Sequence, residues 1–291
     1  MLAERPGTLF VVATPIGNLE DISLRALRVL READVIAAED TRRTRKLLAR
    51  HAIATPTLSF HAHNSRGRTP QLLARLATGA SVALVTDAGT PGVSDPGVEM
   101  VRAAVEAGIP VDPVPGASAP LAALVGSGFP MERVTLLGFP PVRSKDRYNW
   151  LNDLSSRHET VVFFEAPHRI RRTLLQAGDV LGHRPVSVAR ELTKVHQEFL
   201  RGTCDEVAAR LSEPRGEFTV VVAPASESVR QPAERPDDAM LAGEFYRLTK
   251  DGATGSRRAA LAAVAHTFGC SSRAVYAAVE RAKAGRDAPD R

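Results

Sequence analysis

The run Leu84-Val85-Thr86-Asp87-Ala88-Gly89-Thr90-Pro91-Gly92-Val93-Ser94-Asp95-Pro96-Gly97 carries an apolar strand into a turn of glycine, proline and small hydroxyl or carboxylate residues. Glycines let backbone N–H and C=O groups approach a ligand closely, and prolines shape the loop before the ligand arrives. Asp87 falls where the strand ends, the place at which open α/β sheets bind ligands. Ala13-Thr14-Pro15-Ile16-Gly17-Asn18-Leu19-Glu20-Asp21 has the same small, stiff character. It lacks G-x-G-x-x-G, so a dinucleotide fingerprint is not supported, and a plain strand-to-helix turn would use these residues too.

Three further stretches follow apolar runs. Ala38-Glu39-Asp40-Thr41-Arg42-Arg43-Thr44-Arg45-Lys46 puts two carboxylates at a strand end and a dense set of cations on the next helix. It reads either as a solvated charged face or as carboxylates on the ligand side with Arg42, Arg43 and Arg45 meeting phosphates. Pro115-Gly116-Ala117-Ser118-Ala119-Pro120 reads as a hinge whose Ser118 caps the next helix, with free N–H groups facing a cleft. Phe163-Phe164-Glu165-Ala166-Pro167-His168-Arg169 is another strand end. In Ser59-Phe60-His61-Ala62-His63-Asn64 a histidine follows a strand, where it serves as a general base near neutral pH or as polar surface. Such loops on both sides of one hinge point to a ligand held in an interdomain cleft.

The elements that must position these loops alternate. Strand-like runs at 8–13, 34–38, 56–60, 81–86 and 111–114 are separated by helix-like runs at 23–33, 41–51, 65–78 and 96–108, which predicts right-handed crossovers and a parallel sheet. After residue 117 the pattern changes. Strands are expected at 134–139, 160–165, 185–192, 196–202 and 217–223 and helices at 144–156 and 167–181. A hairpin around Thr193-Lys194-Val195 makes the second sheet mixed. The reading is therefore an N-terminal α/β domain over 1–117, a second α/β domain over 118–223, a proline-bearing linker over 224–238 and a helical module over 239–285, with helices at 239–249, 256–268 and 271–284.

The 291 residues suffice for two domains and an appendage, and 44% hydrophobic with 24% charged residues is ordinary for a globular chain. No apolar run nears the roughly 20 residues that cross a bilayer, and no signal-peptide core precedes the first strand, so a cytoplasmic location is expected. Cys204 and Cys270 lack neighbours at metal-ligand spacing, so no metal is expected. A net charge of +5 permits an anionic partner without requiring one. From residue 237 onward nine basic residues face seven acidic ones, a weak balance for a DNA reader.

Taken in order, the segments 14–19, 38–42, 87–97, 115–118 and 164–169 resemble the ribosomal RNA small subunit methyltransferase I family, within the tetrapyrrole methylase superfamily. The resemblance spans 8–223 and extends to the helical tail, similar to that family's helix-turn-helix-like module. It implies two α/β domains of the class III methyltransferase type with a cofactor cleft between them, S-adenosylmethionine as cofactor and 2'-O-methylation of a cytidine ribose in the decoding region of 16S rRNA. It implies cofactor contacts at Pro15, Ile16 and Gly17, at Asp87, Ala88, Gly89, Thr90, Ser94 and Asp95, at Ser118 and Ala119, at Glu165 and Ala166, and at Gly216 and Glu217. Tetrapyrrole relatives usually carry Gly-Asp-Pro where this chain has Asp87-Ala88-Gly89, a departure that argues against a tetrapyrrole substrate.

A ribose hydroxyl is a poor nucleophile while protonated, so a base or water must take its proton. His61 and Asp40 are the candidates. Arg42, Arg43, Arg45, Arg143, Lys145, Arg147, Arg169, Arg171 and Arg172 are candidate phosphate contacts to 16S rRNA or the small ribosomal subunit, on RNA opened enough for one ribose to enter. A homodimer is expected by the same resemblance, and no membrane partner. Two other readings stand beside this one: a methylase of a porphyrin or corrin precursor, and a helix-turn-helix nucleic-acid-binding protein that senses S-adenosylmethionine without turnover.

Overall fold

In the computed structural model, which describes residues 6–93, 95–211, 215–225, 237–250, 257–268 and 272–286, short apolar runs become the strands of two sheets. The first contains β1 (Leu9–Val12), β2 (Val35–Ala38), β3 (Thr57–Ser59), β4 (Val82–Val85) and β5 (Val111–Val114) in the order β3-β2-β4-β1-β5. All its pairs are parallel. Its central strands are apolar on both faces because helices cover both, the signature of a parallel sheet. Leu9, Val11, Val35, Ala37 and Leu84 pack against Leu72 and Leu76 of α3 (Ser65–Ala77) and Met100 of α4 (Gly97–Glu106). Val12, Ile36, Ala83 and Val85 pack against Ala26, Val29 and Leu30 of α1 (Leu24–Glu32) and Leu48 of α2 (Thr41–Arg50).

The second sheet is mixed, as the hairpin requires. It holds β6 (Val134–Leu136), β7 (Thr160–Glu165), β8 (Val186–Arg190), β9 (Glu198–Gly202) and β10 (Phe218–Val222) in the order β6-β7-β10-β8-β9. Only β6 and β7 run parallel. One face buries Val161, Phe163, Val188 and Val220 against α6 (Ser144–Ser155), α7 (Ile170–Leu181) and α8 (Cys204–Arg210). The other buries Val162, Ala189 and Val221 against Ala123 and Leu124 of α5 (Ala119–Ser127) and against Ile16, which reaches over from the loop after β1. Ile16 thus couples the two sheets.

Helix α8 is absent from the sequence expectation, although its start is legible. Thr203 and Glu206 form a reciprocal capping box, the T-x-x-E spacing that marks a helix N-terminus. Cys204 is fully buried in that helix, and burial pushes its thiol up to about 12, which leaves it unreactive. Cys270 lies outside the described residues.

The chain divides into two compact units, 1–225 and 226–291. The second has its own core, in which Leu241 and Phe245 of α9 (Asp238–Lys250) meet Val264 of α10 (Arg257–Thr267) and Val275 and Val279 of α11 (Ser272–Arg286). The break expected at 269–271 lies outside the described residues. Among the described residues no helix is long and apolar enough to cross a membrane, and no three His, Cys, Asp or Glu side chains converge as a metal site.

Candidate functional site

The C-terminal ends of β1 and β4 are tied to each other. Thr14 and Gly89 exchange backbone hydrogen bonds at 2.9 and 3.0 Å, and Thr14 Oγ1 donates to the Thr86 carbonyl at 3.1 Å. Gly89 holds φ at +82°, a left-handed conformation that costs a residue with Cβ about 1–2 kcal/mol. Further along, both oxygens of Asp95 accept the Gly92 N–H at 2.9 Å, and Oδ1 also accepts that of Gly97 at 2.7 Å, which folds the loop back onto the first turn of α4.

These loops open on a cavity of about 380 Å³, within the ~300–1,000 Å³ that small-ligand sites occupy. The first sheet contributes Ile16, Glu39, Thr86, Ala88, Gly89, Thr90, Val93 and Asp95. The hinge adds Ser118, Ala119 and Pro120, and the second sheet closes the cavity with Phe139, Phe164, Glu165, Ala166, Pro167, Glu217, Phe218 and Thr219. The lining is apolar and aromatic, with Phe139 and Phe164 rings 5.3 Å apart. Four carboxylate residues join it, and no Lys, Arg or His does among the described residues. Such a wall suits a cationic, partly aromatic ligand and is unsuited to a phosphate-bearing one.

Ten of the expected cofactor contacts lie on this lining: Ile16, Ala88, Gly89, Thr90, Asp95, Ser118, Ala119, Glu165, Ala166 and Glu217. Ser94 lies outside the described residues. Pro15, Gly17, Asp87 and Gly216 are brought near but do not line the cavity, and each omission has a structural cause. Gly17 serves close packing, since a Cβ there would stand 2.5 Å from Lys194 Cγ and 2.9 Å from the Leu192 carbonyl. Pro15 only precedes the inserted Ile16. Gly216 packs its α-carbon against the Glu191 side chain. Asp87 turns back to accept the Asp40 N–H at 2.9 Å and pair with Arg43 at 3.4 Å. Burial, then the charge of Glu39, pushes the Asp87 carboxyl above its ordinary range.

Two contacts have different roles from those expected. Ser118 occupies the N-cap position of α5, yet its side chain makes no capping bond. Pro120, the second helical residue, lacks one of the two N–H groups a cap usually serves, so the Ser118 hydroxyl is left to the cavity. Glu165 is 2% exposed with both oxygens engaged: Oε1 by Arg169 at 2.5 Å and the Ala166 N–H at 2.7 Å, Oε2 by the Thr173 hydroxyl at 2.6 Å. It shapes the wall as a neutralised strut.

Not expected from the sequence are the aromatic lining residues Phe139 and Phe164, together with Thr86, Thr219 and Phe218, whose side chain is 2% exposed and packs with Phe163 and Val220 in the core of the second sheet. Phe164 and Thr86 adjoin expected contacts. Phe139 and Phe218 read as ordinary strand ends, and only closure of the second sheet over the first brings them in.

Neither candidate base stands in the cavity. Asp40 caps α2 by accepting the Arg42 N–H at 2.8 Å and pairs with the Arg42 guanidinium at 3.0 Å. The Arg42 side chain, then its N–H, hold the Asp40 carboxyl at about 2, too acidic a conjugate acid for an efficient base at neutral pH. His61 Nε2 faces Asn64 Nδ2 at 3.3 Å while its Nδ1 is buried without a partner among the described residues. Both assignments are therefore corrected, because helix capping and a local turn hold these side chains away from the cavity.

The cations separate into two classes. Arg42, Arg43, Arg45, Arg143, Lys145, Arg171 and Arg172 are exposed. Arg147 and Arg169 are buried, and their assignment to phosphates is corrected. Arg147 Nε donates to Gln176 at 2.6 Å and its Nη1 to the carbonyls of Pro141 and Val142, which pins the loop before α6, and burial pushes its guanidinium below the ordinary arginine range. Arg169 is consumed by Glu165.

Residues 8–208 match the family model of the tetrapyrrole (corrin/porphyrin) methylases. The chain is 46% identical over 256 residues, 86% of its length and 90% of the relative's, to ribosomal RNA small subunit methyltransferase I of Synechocystis sp.. It is 50% identical over 225 residues, 76% of its length and 72% of the relative's, to the protein of the same name from Micromonospora olivasterospora. Its fold is like that of uroporphyrin-III C-methyl transferase from Thermus thermophilus complexed with S-adenosyl homocysteine, at a TM-score of 0.54 and 22% identity over 77% of this chain and 99% of that one.

Proposed function

Because this chain belongs to the ribosomal RNA small subunit methyltransferase I family, within the tetrapyrrole methylases, we propose that it is an S-adenosylmethionine-dependent methyltransferase that modifies the 2'-hydroxyl of a cytidine in the decoding region of 16S rRNA. One observation supports the cofactor most directly: the cavity between the sheets is aromatic and acidic, with no described cation on its lining. Ile16, Phe139 and Phe164 offer apolar contact to an adenine. Asp95 and Glu217 place negative charge around the ligand, and the backbone of 88–90 with the Ser118 hydroxyl offers polar contacts. When bound, the cofactor supplies a methyl already activated by a sulfonium, so alignment of the accepting oxygen can provide much of the rate.

On this reading the exposed Arg42, Arg43 and Arg45 on one side, with Arg143, Lys145, Arg171 and Arg172 on the other, take the phosphates of an opened RNA strand and bring one ribose to the cavity. The helical unit at 237–286 is a second grip on RNA, and the active form is a homodimer, which sedimentation of the full chain would read directly. The domains at 1–117 and 118–223 serve as two halves of one cleft, with Ile16 bridging them.

The deciding experiment incubates the protein with labelled S-adenosylmethionine and small subunits that lack the modification, then maps the labelled nucleotide. Label on one cytidine ribose is the result expected. Label on a base, or none on RNA, overturns the proposal. Binding without turnover would instead indicate a sensor.

A further inference from the structure

With His61 and Asp40 turned away, the cavity has its own carboxylate at the right place. Glu39 directly follows the last residue of β2 and is separated from the start of α2 by Asp40. Its Oε2 accepts the Thr86 hydroxyl at 2.6 Å and the Asp87 N–H at 3.2 Å, while Oε1 has no partner among the described residues. The other carboxylates on the lining are spent or solvated. Asp95 holds Gly92 and Gly97, Glu165 is saturated by Arg169, Ala166 and Thr173, and Glu217 pairs with Lys194 from a side chain 69% exposed.

We propose that Glu39 is the proton acceptor of the methyl transfer, an inference that rests on the functional reading above. Thr86 and Asp87 fix the carboxylate by one oxygen, and Glu39 lines the ligand space with its other oxygen unengaged among the described residues. Glu39 also lies at the junction of that space with α2, whose first turn carries the exposed Arg42 and Arg43. An RNA strand with its phosphates on those cations presents its ribose beside Oε1. As the ribose oxygen forms its bond to the methyl carbon, the carbon–sulfur bond breaks with its electron pair left on sulfur. The hydroxyl proton passes to Glu39 and then to water, so charge and atoms balance.

The test compares the full-length wild type with Glu39→Gln, which keeps an oxygen for Thr86 but removes basicity, and Glu39→Asp, which keeps the carboxylate on a shorter stem. Three quantities are read: kcat on unmodified small subunits, KM for those subunits, and the Kd of S-adenosylhomocysteine by calorimetry. Expected is a kcat fall of roughly 10²-fold or more in Glu39→Gln, the usual worth of a positioned base. KM and the S-adenosylhomocysteine Kd stay at wild-type values, and Glu39→Asp recovers part of the rate. Wild-type kcat in Glu39→Gln overturns the inference. So does a loss of S-adenosylhomocysteine affinity matching the loss of rate, which would make Glu39 a cofactor ligand. A wild-type enzyme that leaves RNA ribose unlabelled overturns the functional reading itself, an outcome separate from both because it needs no variant.

Discussion

Arg169 Nη2 stands 2.5 Å from Glu165 Oε1, and the two side chains are 8% and 0% exposed, an ion pair inside the wall of the cavity. Removing one partner of such a pair leaves a buried charge uncompensated, which typically costs about 3–5 kcal/mol. Arg169→Met is expected to lower the unfolding free energy of the 1–225 unit by that order in urea titration. A variant as stable as wild type would show that the pair contributes nothing.

Gly89→Ala tests the loop that joins β4 to the cavity. Its φ of +82° disfavours any Cβ, and the new atom would stand 3.4 Å from Ile16 Cγ2. The strain of about 1–2 kcal/mol is relieved by moving the loop off Thr14, so S-adenosylhomocysteine should bind about ten-fold more weakly or worse. An unaltered Kd with an unaltered melting temperature would refute this.

Salt dependence sorts the cations. Replacing Arg42 and Arg45 together should reduce the slope of log affinity for a 16S fragment against log salt by roughly 1.4, about 0.7 for each single-strand phosphate contact. The Arg147→Ala protein should instead lose stability, because its guanidinium is buried against Gln176 and the Pro141 and Val142 carbonyls. If the double variant left the slope intact, α2 would not be an RNA-binding face.

The Asp40–Arg42 pair gives a pH signature. The Asp40 carboxyl titrates at about 2 in the folded chain against an ordinary 3.8, so its charge stabilises the fold fully above 3.8 and ceases to do so as pH falls through about 2. The stability difference between wild type and Asp40→Asn, which preserves a capping side chain, should stay level from neutrality to about pH 4 and close towards pH 2. A difference that grows on acidification would contradict the sign.

Truncation after Ala225 separates the two compact units. The shortened chain retains every residue of the cavity and both sheets, so it should melt cooperatively and bind S-adenosylhomocysteine as the full chain does. Loss of affinity for the 16S fragment alone would assign RNA binding to the helical unit, whereas loss of the cofactor site would refute its independence.

Local chemistry determined much of this molecule. Short apolar runs bounded by glycine and proline specify strands, and single helices between the first five specify a parallel sheet, so the two sheets and the loops at their ends are legible in the sequence. Even Arg147 left a trace, since it shares a helical face with the buried Leu151 and Leu154 at spacings of four and seven. Tertiary structure decided what spacing leaves open. Glu39 and Asp40 are consecutive at a strand end, where neighbouring side chains point to opposite sides, and only the packing of β2 beside β4 puts Glu39 against Thr86 in the cavity while Asp40 turns to cap α2. The aromatic wall of Phe139 and Phe164 likewise faces the loops of β1 and β4 only because a second sheet closes over the first, a contact between residues far apart in the chain that no local pattern encodes.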